Sequence, residues 1–310
     1  MKQILLTFYL LFISYISFSQ GCSSAGFCTM GALKADQTFS PIKKVRLNYV
    51  EISHLIAFNG LGETIQASTI DASISVSSKN KIQLRLPYAW VEGDLGKTSG
   101  FGDVYFTYTR SLFQKDKYNI SVMAGTKIPR FSTNFNTKEN LPLPMYYSPS
   151  LGTYDLILGA SFINKSWLLG IGFQKPIYNR SIDNHFSPDK WLGSSLEQQA
   201  KKYTYSAGLQ RGSDIMLRIE KNIRFNRYNF HVGLLPVYRI EADEVLQDNV
   251  RKKLKGSQGL AMTGILGAGY NFDLHSRIKL FYGHRLVARE SNADGLMKTS
   301  VTTIAYEWRF

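Results

Sequence analysis

The chain has 310 residues, 44% of them hydrophobic and 13% aromatic, and its 37 Lys and Arg against 23 Asp and Glu give a formal net charge of +14. Beyond the first 20 residues no apolar run approaches the roughly 20 residues that a spanning helix needs, which excludes a helical membrane protein. A mean hydropathy of −0.16 looks soluble, but a barrel with an apolar outside and a polar lumen averages to the same value.

The elements begin with Lys2, an apolar run from Ile4 to Phe18 broken by Thr7, Ser14 and Ser17, and then Ser19 and Gln20. Charge, apolar core and a small polar cleavage region in that order make residues 1–20 a secretory signal peptide, and the run is short for a membrane anchor. Export without a recognition motif leaves no nucleic-acid partner. Two readings of Cys22 stay open. It could be lipidated, although Ser19 stands where lipidated cysteines have an aliphatic residue. It could instead pair with Cys28, as thiols in an oxidising compartment usually do. Two thiols with no nearby His or third Cys do not make a metal site, so neither metal nor cofactor is expected. Residues 21–42 are either a plug in a lumen or a periplasmic tail.

From residue 43 onward the dominant signal is period-two alternation. In 82–90, Ile82, Leu84, Leu86, Tyr88 and Trp90 share a face opposite Gln83, Arg85, Pro87 and Ala89. Twelve such segments are predicted near 44–57, 63–78, 80–92, 102–114, 117–130, 152–163, 166–177, 203–222, 226–241, 259–273, 276–289 and 297–310. Short polar turns at 78–80, 114–117, 164–166, 222–227 and 274–276 alternate with mostly longer loops at 93–101, 131–151, 178–202, 242–258 and 290–296, the first intervening connection, around 60–62, being short. Turns on one side and loops on the other are the layout of an antiparallel up-and-down transmembrane β-barrel, with both termini on the turn side. A soluble β-sandwich would also alternate. The segments are longer than the usual 5–6 residues of a globular strand, however, and the polar face carries charges that a sandwich core could not bury unpaired. Aromatics also gather at segment ends, as at Trp167, Tyr228, Tyr238, Tyr306 and Trp308.

Three stretches carry a family resemblance. Tyr306-Glu307-Trp308-Arg309-Phe310 resembles the strand-end signal read by the outer-membrane assembly machinery. Ser17-Phe18-Ser19-Gln20 resembles signal ends of exported Bacteroidetes proteins. Ser99-Gly100-Phe101-Gly102-Asp103, running into Val104-Tyr105-Phe106, resembles the transporter-like barrels of the MetA-pathway of phenol degradation family. That resemblance implies a bacterial outer-membrane location and the passive passage of small, often apolar molecules, and it brings no binding residues with it.

If Phe310 faces lipid, parity places Gln83, Arg85, Lys127, Asp155, Arg218, Glu220, His231, Arg239, Lys279, Arg285, Glu307 and Arg309 in the lumen. A lumen rich in Arg and Lys would favour anions. The alternative is that these charges pair across a narrow barrel and seal it. Gly159, Gly170, Gly172, Gly264, Gly267 and Gly269 are read as small residues on that crowded inner face, since no helix follows that could make a phosphate loop. The expected function is therefore a channel or transporter for small molecules. A non-conducting barrel that binds a partner through its loops is the alternative, and its charged loop 242–258 could meet lipopolysaccharide phosphates. A lipid hydrolase is the least favoured reading, because none of the five His residues (His54, His185, His231, His275 and His284) sits in a Ser-containing motif.

Overall fold

Each predicted strand carries one large-apolar face. In hydrocarbon the backbone at a free sheet edge would have no water to bond, so such a sheet is stable only when it closes on itself. The computed structural model describes residues 29–34, 45–115, 117–129, 134–179, 184–296 and 298–310. Its strands are β1 (Arg46–Phe58), β2 (Thr64–Ser75), β3 (Asn80–Gly93), β4 (Gly96–Phe101), β5 (Val104–Lys115), β6 (Tyr118–Ile128), β7 (Thr153–Asn164), β8 (Trp167–Asn179), β9 (Asp214–Phe225), β10 (Tyr228–Arg239), β11 (Glu244–Gln247), β12 (Val250–Lys253), β13 (Gly259–Asn271), β14 (Ser276–Val287) and β15 (Ser300–Arg309). Twelve of them form a closed antiparallel barrel. The ring is completed where β1 pairs with β15, from Tyr49 opposite Arg309 to Phe58 opposite Ser300. β4 prolongs the sheet by folding back on the upper half of β3, and β11 with β12 forms a separate hairpin in a loop.

The two faces separate by parity. Along β10, Tyr228, Phe230, Val232, Leu234 and Tyr238 are exposed, whereas Asn229, Leu235, Val237 and Arg239 are buried. Along β15, Ile304, Tyr306 and Trp308 point out and Val301, Ala305 and Glu307 point in, and Phe310 continues the outward row at 52% exposure. An exposed apolar belt running round the whole barrel is a lipid-facing surface. No described helix is long and apolar enough to cross a membrane.

Two expectations change. The segment expected at 203–222 is a strand only over Asp214–Phe225. Residues 203–213 turn inward over the barrel mouth instead, where Tyr203 is buried and Gly212 donates its N–H to Asp243 Oδ1 at 2.8 Å. Gly264 does not face the lumen: it lies outside, where an added Cβ would meet the lipid-facing Leu286 at 3.3 Å. Gly267 does face inward, against the His231 ring. The signal peptide and the Cys22–Cys28 pairing lie outside the described residues.

The long loops do not stand free. Leu143, Tyr146, Tyr147, Phe186, Trp191, Ala200 and Tyr203 form a small apolar core with Ala57, Ile65, Val91 and Val301 from the strand ends. The Trp191 indole donates to the Pro142 carbonyl at 2.9 Å, and the Leu95 N–H donates to the Tyr147 hydroxyl at 3.0 Å. The lumen is thus roofed at the loop end by loop side chains.

Leu234 lies near the middle of β10 on the lipid side, 43% exposed. Leu234→Arg is expected to destabilise the barrel by about 2–4 kcal/mol, the cost of a cation on a lipid face near the bilayer midplane. Reversible urea unfolding in lipid vesicles would measure the change.

Candidate functional site

Twelve strands enclose more space than side chains alone fill at about eight strands, and less than the open channel of a 16-stranded porin. Three structures occupy it: an N-terminal segment, a set of buried ion pairs, and the loop roof. Residues 29–34 enter the lumen, with a 3₁₀ turn at Gly31–Leu33. Met30, Ala32 and Leu33 have no exposed surface. Gly31 adopts φ +49°, and a Cβ there would lie 2.7 Å from both Met123 Sδ and Thr109 Oγ1, so only glycine fits.

Polar contacts hold this plug to the wall. The Gly31 N–H donates to Gln83 Oε1 at 2.6 Å, and Arg85 donates to Thr29 Oγ1 and to Asp71 Oδ2, each at 2.7 Å. Lys34 reaches Glu51 at 3.2 Å and lies 3.9 Å from the centre of the Tyr49 ring. Lys279 bridges Glu51 and Glu307, the latter at 2.7 Å. Arg277 and Arg309 also converge on Glu307, at 3.0 and 2.7 Å.

A second network lies at the loop end, around Arg239. Its guanidinium reaches Asp214 at 2.9 Å, Asp243 at 2.6 Å and Asp294 at 2.9 Å. Arg211 joins the same acids, at 3.2 Å from Asp294 and 3.3 Å from Asp214. Burial would raise the Asp294 carboxyl, but Arg239, Arg211 and Arg289 outweigh it and hold it below the usual carboxylate range. Burial together with the repulsion of Arg239 lowers Arg289 to about 10. Beside this network, Lys127 contacts Asp155 at 2.9 Å and Asp103 at 3.5 Å.

The motif from Ser99 to Asp103 lies where the chain leaves β4 for β5. At Gly102 a Cβ would meet Pro87 Cγ at 2.9 Å and the Pro149 carbonyl oxygen at 3.0 Å, so this kink also requires glycine. Asp103 accepts hydrogen bonds from the Ser150 hydroxyl and, at 3.1 Å, from the Leu151 N–H. The motif therefore ties loop 141–152 over the mouth.

Between plug and roof lies a chamber of about 270 Å³. Leu55, Ile65, Ala67, Ala89 and Val91 make an apolar wall, Met145, Tyr146, Pro149, Leu151 and Leu296 the roof, and Thr29, Lys34, Glu51, Arg85 and Lys279 the floor. His231, Arg218 and Phe281 border it from the opposite wall.

Of the residues that parity placed inside, Arg85, His231, Lys279 and Arg218 border the chamber. Gln83, Lys127, Asp155, Glu220, Arg239, Arg285 and Glu307 are buried inside the barrel, with Arg218 ion-paired to Glu220 on β9. Arg309 is half-buried at the turn end. The partner acids Glu51, Asp71 and Asp214 lie on the same inner parity and could have been found by it. Asp243 and Asp294 come from loops, where parity says nothing. Among the described residues, one Ser–His hydrogen bond occurs, His54 Nδ1 to Ser68 Oγ at 3.0 Å. It lies on the lipid-facing side and bonds no carboxylate among the described residues, so it lacks the third member of a catalytic triad. Among the described residues His284 hydrogen-bonds the Tyr282 hydroxyl, at 3.3 Å, on the same outer surface.

No family model matches this sequence, and no curated protein matches it. Among solved structures the chain is similar to the COG4313 outer membrane channel from Pseudomonas putida F1, with a TM-score of 0.58 and 13% identity, covering 89% of this chain and 98% of that one. It also matches the NanC porin, with a TM-score of 0.47 and 9% identity over 86% of this chain and 100% of that one. A third match is the CymD monoaromatic hydrocarbon channel, with a TM-score of 0.40 and 9% identity over 96% and 99%. At these identities the likeness to the first of them establishes the shared barrel fold.

Two predictions follow from the roof. Arg239→Met leaves Asp214, Asp243 and Asp294 without their shared counter-ion and should cost about 3–5 kcal/mol, as removing one partner of a buried network does. Urea titration gives that number, and faster proteolytic cutting within 240–258 and 288–296 would locate the loosening. Glu63, 1% exposed beneath the Tyr203 hydroxyl, behaves oppositely to Asp294, because burial pushes its carboxyl above the usual range. A raised folded value means its stabilising contribution is complete below the unfolded pKa and is lost as pH rises through the folded one. Glu63→Gln should therefore raise the Tm at pH 8 relative to the unsubstituted chain, with the gap closing as pH falls to about 4.

Proposed function

We propose that this chain is a passive channel of the bacterial outer membrane for small molecules, which rests closed with an internal chamber between its plug and its roof. The observation that carries the reading is the chamber itself: lumen space inside a lipid-embedded barrel, closed on the loop side by loops and on the turn side by a short segment. The turn end is periplasmic and the loop end extracellular, in keeping with short turns and long loops. The fold shared with an outer membrane channel supports the assignment. Membership of the MetA-pathway of phenol degradation family, in a Bacteroidetes source, is part of the proposal and rests on Ser99–Asp103 and on the signal end. So do recognition of the β15 end by the assembly machinery, and lipopolysaccharide phosphates against the exposed Arg251, Lys252 and Lys253 of β12. No observation favours catalysis.

A second reading, a non-conducting barrel, is favoured by one feature: most of the lumen's charges have neighbouring counter-ions, which seals rather than lines a path. Planar-bilayer recording separates the two. The unsubstituted chain should give small, infrequent openings, and a variant lacking residues 29–34, checked for folding by heat-modifiable gel mobility, should conduct several-fold more. Absence of current from both, with no solute uptake into liposomes, would establish the non-conducting barrel instead.

A further inference from the structure

The charged groups that border the chamber are nearly all spoken for. Lys34 and Lys279 are bound to Glu51, Arg85 to Asp71, Arg218 to Glu220, Asp103 to Lys127, and Asp294 to Arg211 and Arg239. Lys298 is the exception. It borders the chamber from the segment between Leu296 and β15, and it has no ion pair or hydrogen bond with any described residue. Its ordinary value falls to about 8 through burial alone, with no neighbouring charge contributing. An ammonium group held away from bulk water without a counter-ion is costly, and the same cost makes it a strong attractor for an anion small enough to reach it.

The rest of the chamber says what kind of anion. The cavity wall combines the apolar Leu55, Ile65, Ala67, Ala89 and Val91 with the uncharged hydroxyls of Ser53, Thr69 and Thr303, none of which is a counter-ion for a second negative charge. Among the described residues one cation of the lining is free, and it matches one negative charge. A phosphate head, with nearly two negative charges, would leave one of them without a counter-ion. At about 270 Å³ the space falls just below the roughly 300–1,000 Å³ of drug-sized sites, so the occupant is small.

We propose that the chamber is a binding site for a small amphipathic monocarboxylate, its carboxylate on Lys298 and its short apolar body against the wall of β1, β2 and β3. The site deepens the channel reading and rests on it only for its role as a stop along a path, since binding itself requires no flux. Lys298 sits on the roof side, so the ligand's charge meets the segment that must move for the mouth to open.

The test uses the full chain in lipid nanodiscs, titrated calorimetrically with hexanoate, hexan-1-ol and acetate, with empty discs subtracted. Hexanoate should bind at least tenfold more tightly than hexan-1-ol, which has the same tail without the charge, and at least tenfold more tightly than acetate, which has the charge without the tail. Lys298→Met should abolish the preference for hexanoate over hexan-1-ol while leaving hexan-1-ol binding in place, which shows that the chamber is intact. Lys298→Arg should keep the preference. Equal affinities of hexanoate and hexan-1-ol, an unchanged preference in Lys298→Met, or acetate binding as well as hexanoate would each overturn the site. Liposome uptake of the same solutes separates the two readings: selective binding without flux keeps the site and removes the channel, while flux without selective binding does the reverse.

Discussion

A backbone N–H or C=O that meets hydrocarbon has no water to turn to, and each unpaired one costs several kcal/mol. That constraint organises the molecule. It forces the last barrel strand, β15, back onto the first, β1, over ten paired positions, and so removes the free edge. Closure divides every strand into an outward and an inward row. The outward row is the apolar belt, and whatever is polar in the strands must then find its partners inside.

Inside, the geometry of twelve strands sets the next problem. The lumen is too wide for wall side chains to fill and too narrow for a broad aqueous pore. A charge left alone there would be expensive, and a charge with well-placed partners still repays little more than its desolvation. The arrangement found here is one of hubs rather than isolated pairs. Glu307 gathers Lys279, Arg277 and Arg309 near the turn end, and Arg239 gathers Asp214, Asp243 and Asp294 at the mouth. These hubs position elements more than they add stability. The first lies beside Glu51, which also holds Lys34 of the plug, and the second joins two loops to two strand ends.

The same economy explains why the chamber is informative. Where partners are so consistently supplied, a lysine without one marks a place where a partner is expected from outside the chain. The mouth is held by contacts of differing character: an ion-pair hub at Arg239, a small aromatic core around Tyr203, and the Asp103 bonds to loop 141–152. Beside that core, burial pushes the Glu63 carboxyl under Tyr203 above the usual carboxylate range.

Strand number, strand order and the inward or outward facing of Arg85, Lys127, Arg218, Arg239 and Glu307 were legible in the sequence, because a closed sheet between lipid and lumen imposes a period of two on every strand. Parity failed at Gly264, where a small residue faces lipid, since a missing side chain carries no polarity to read. It failed again at 203–213, where alternating apolar residues pack under loops instead of spanning. Period two carries no information on which distant residues meet. That Asp243 and Asp294 share Arg239, that Gly31 and Leu33 lie in the lumen, and that Lys298 borders the chamber without a counter-ion among the described residues depend on loops and a terminal segment folding into a space that exists only once the barrel has closed.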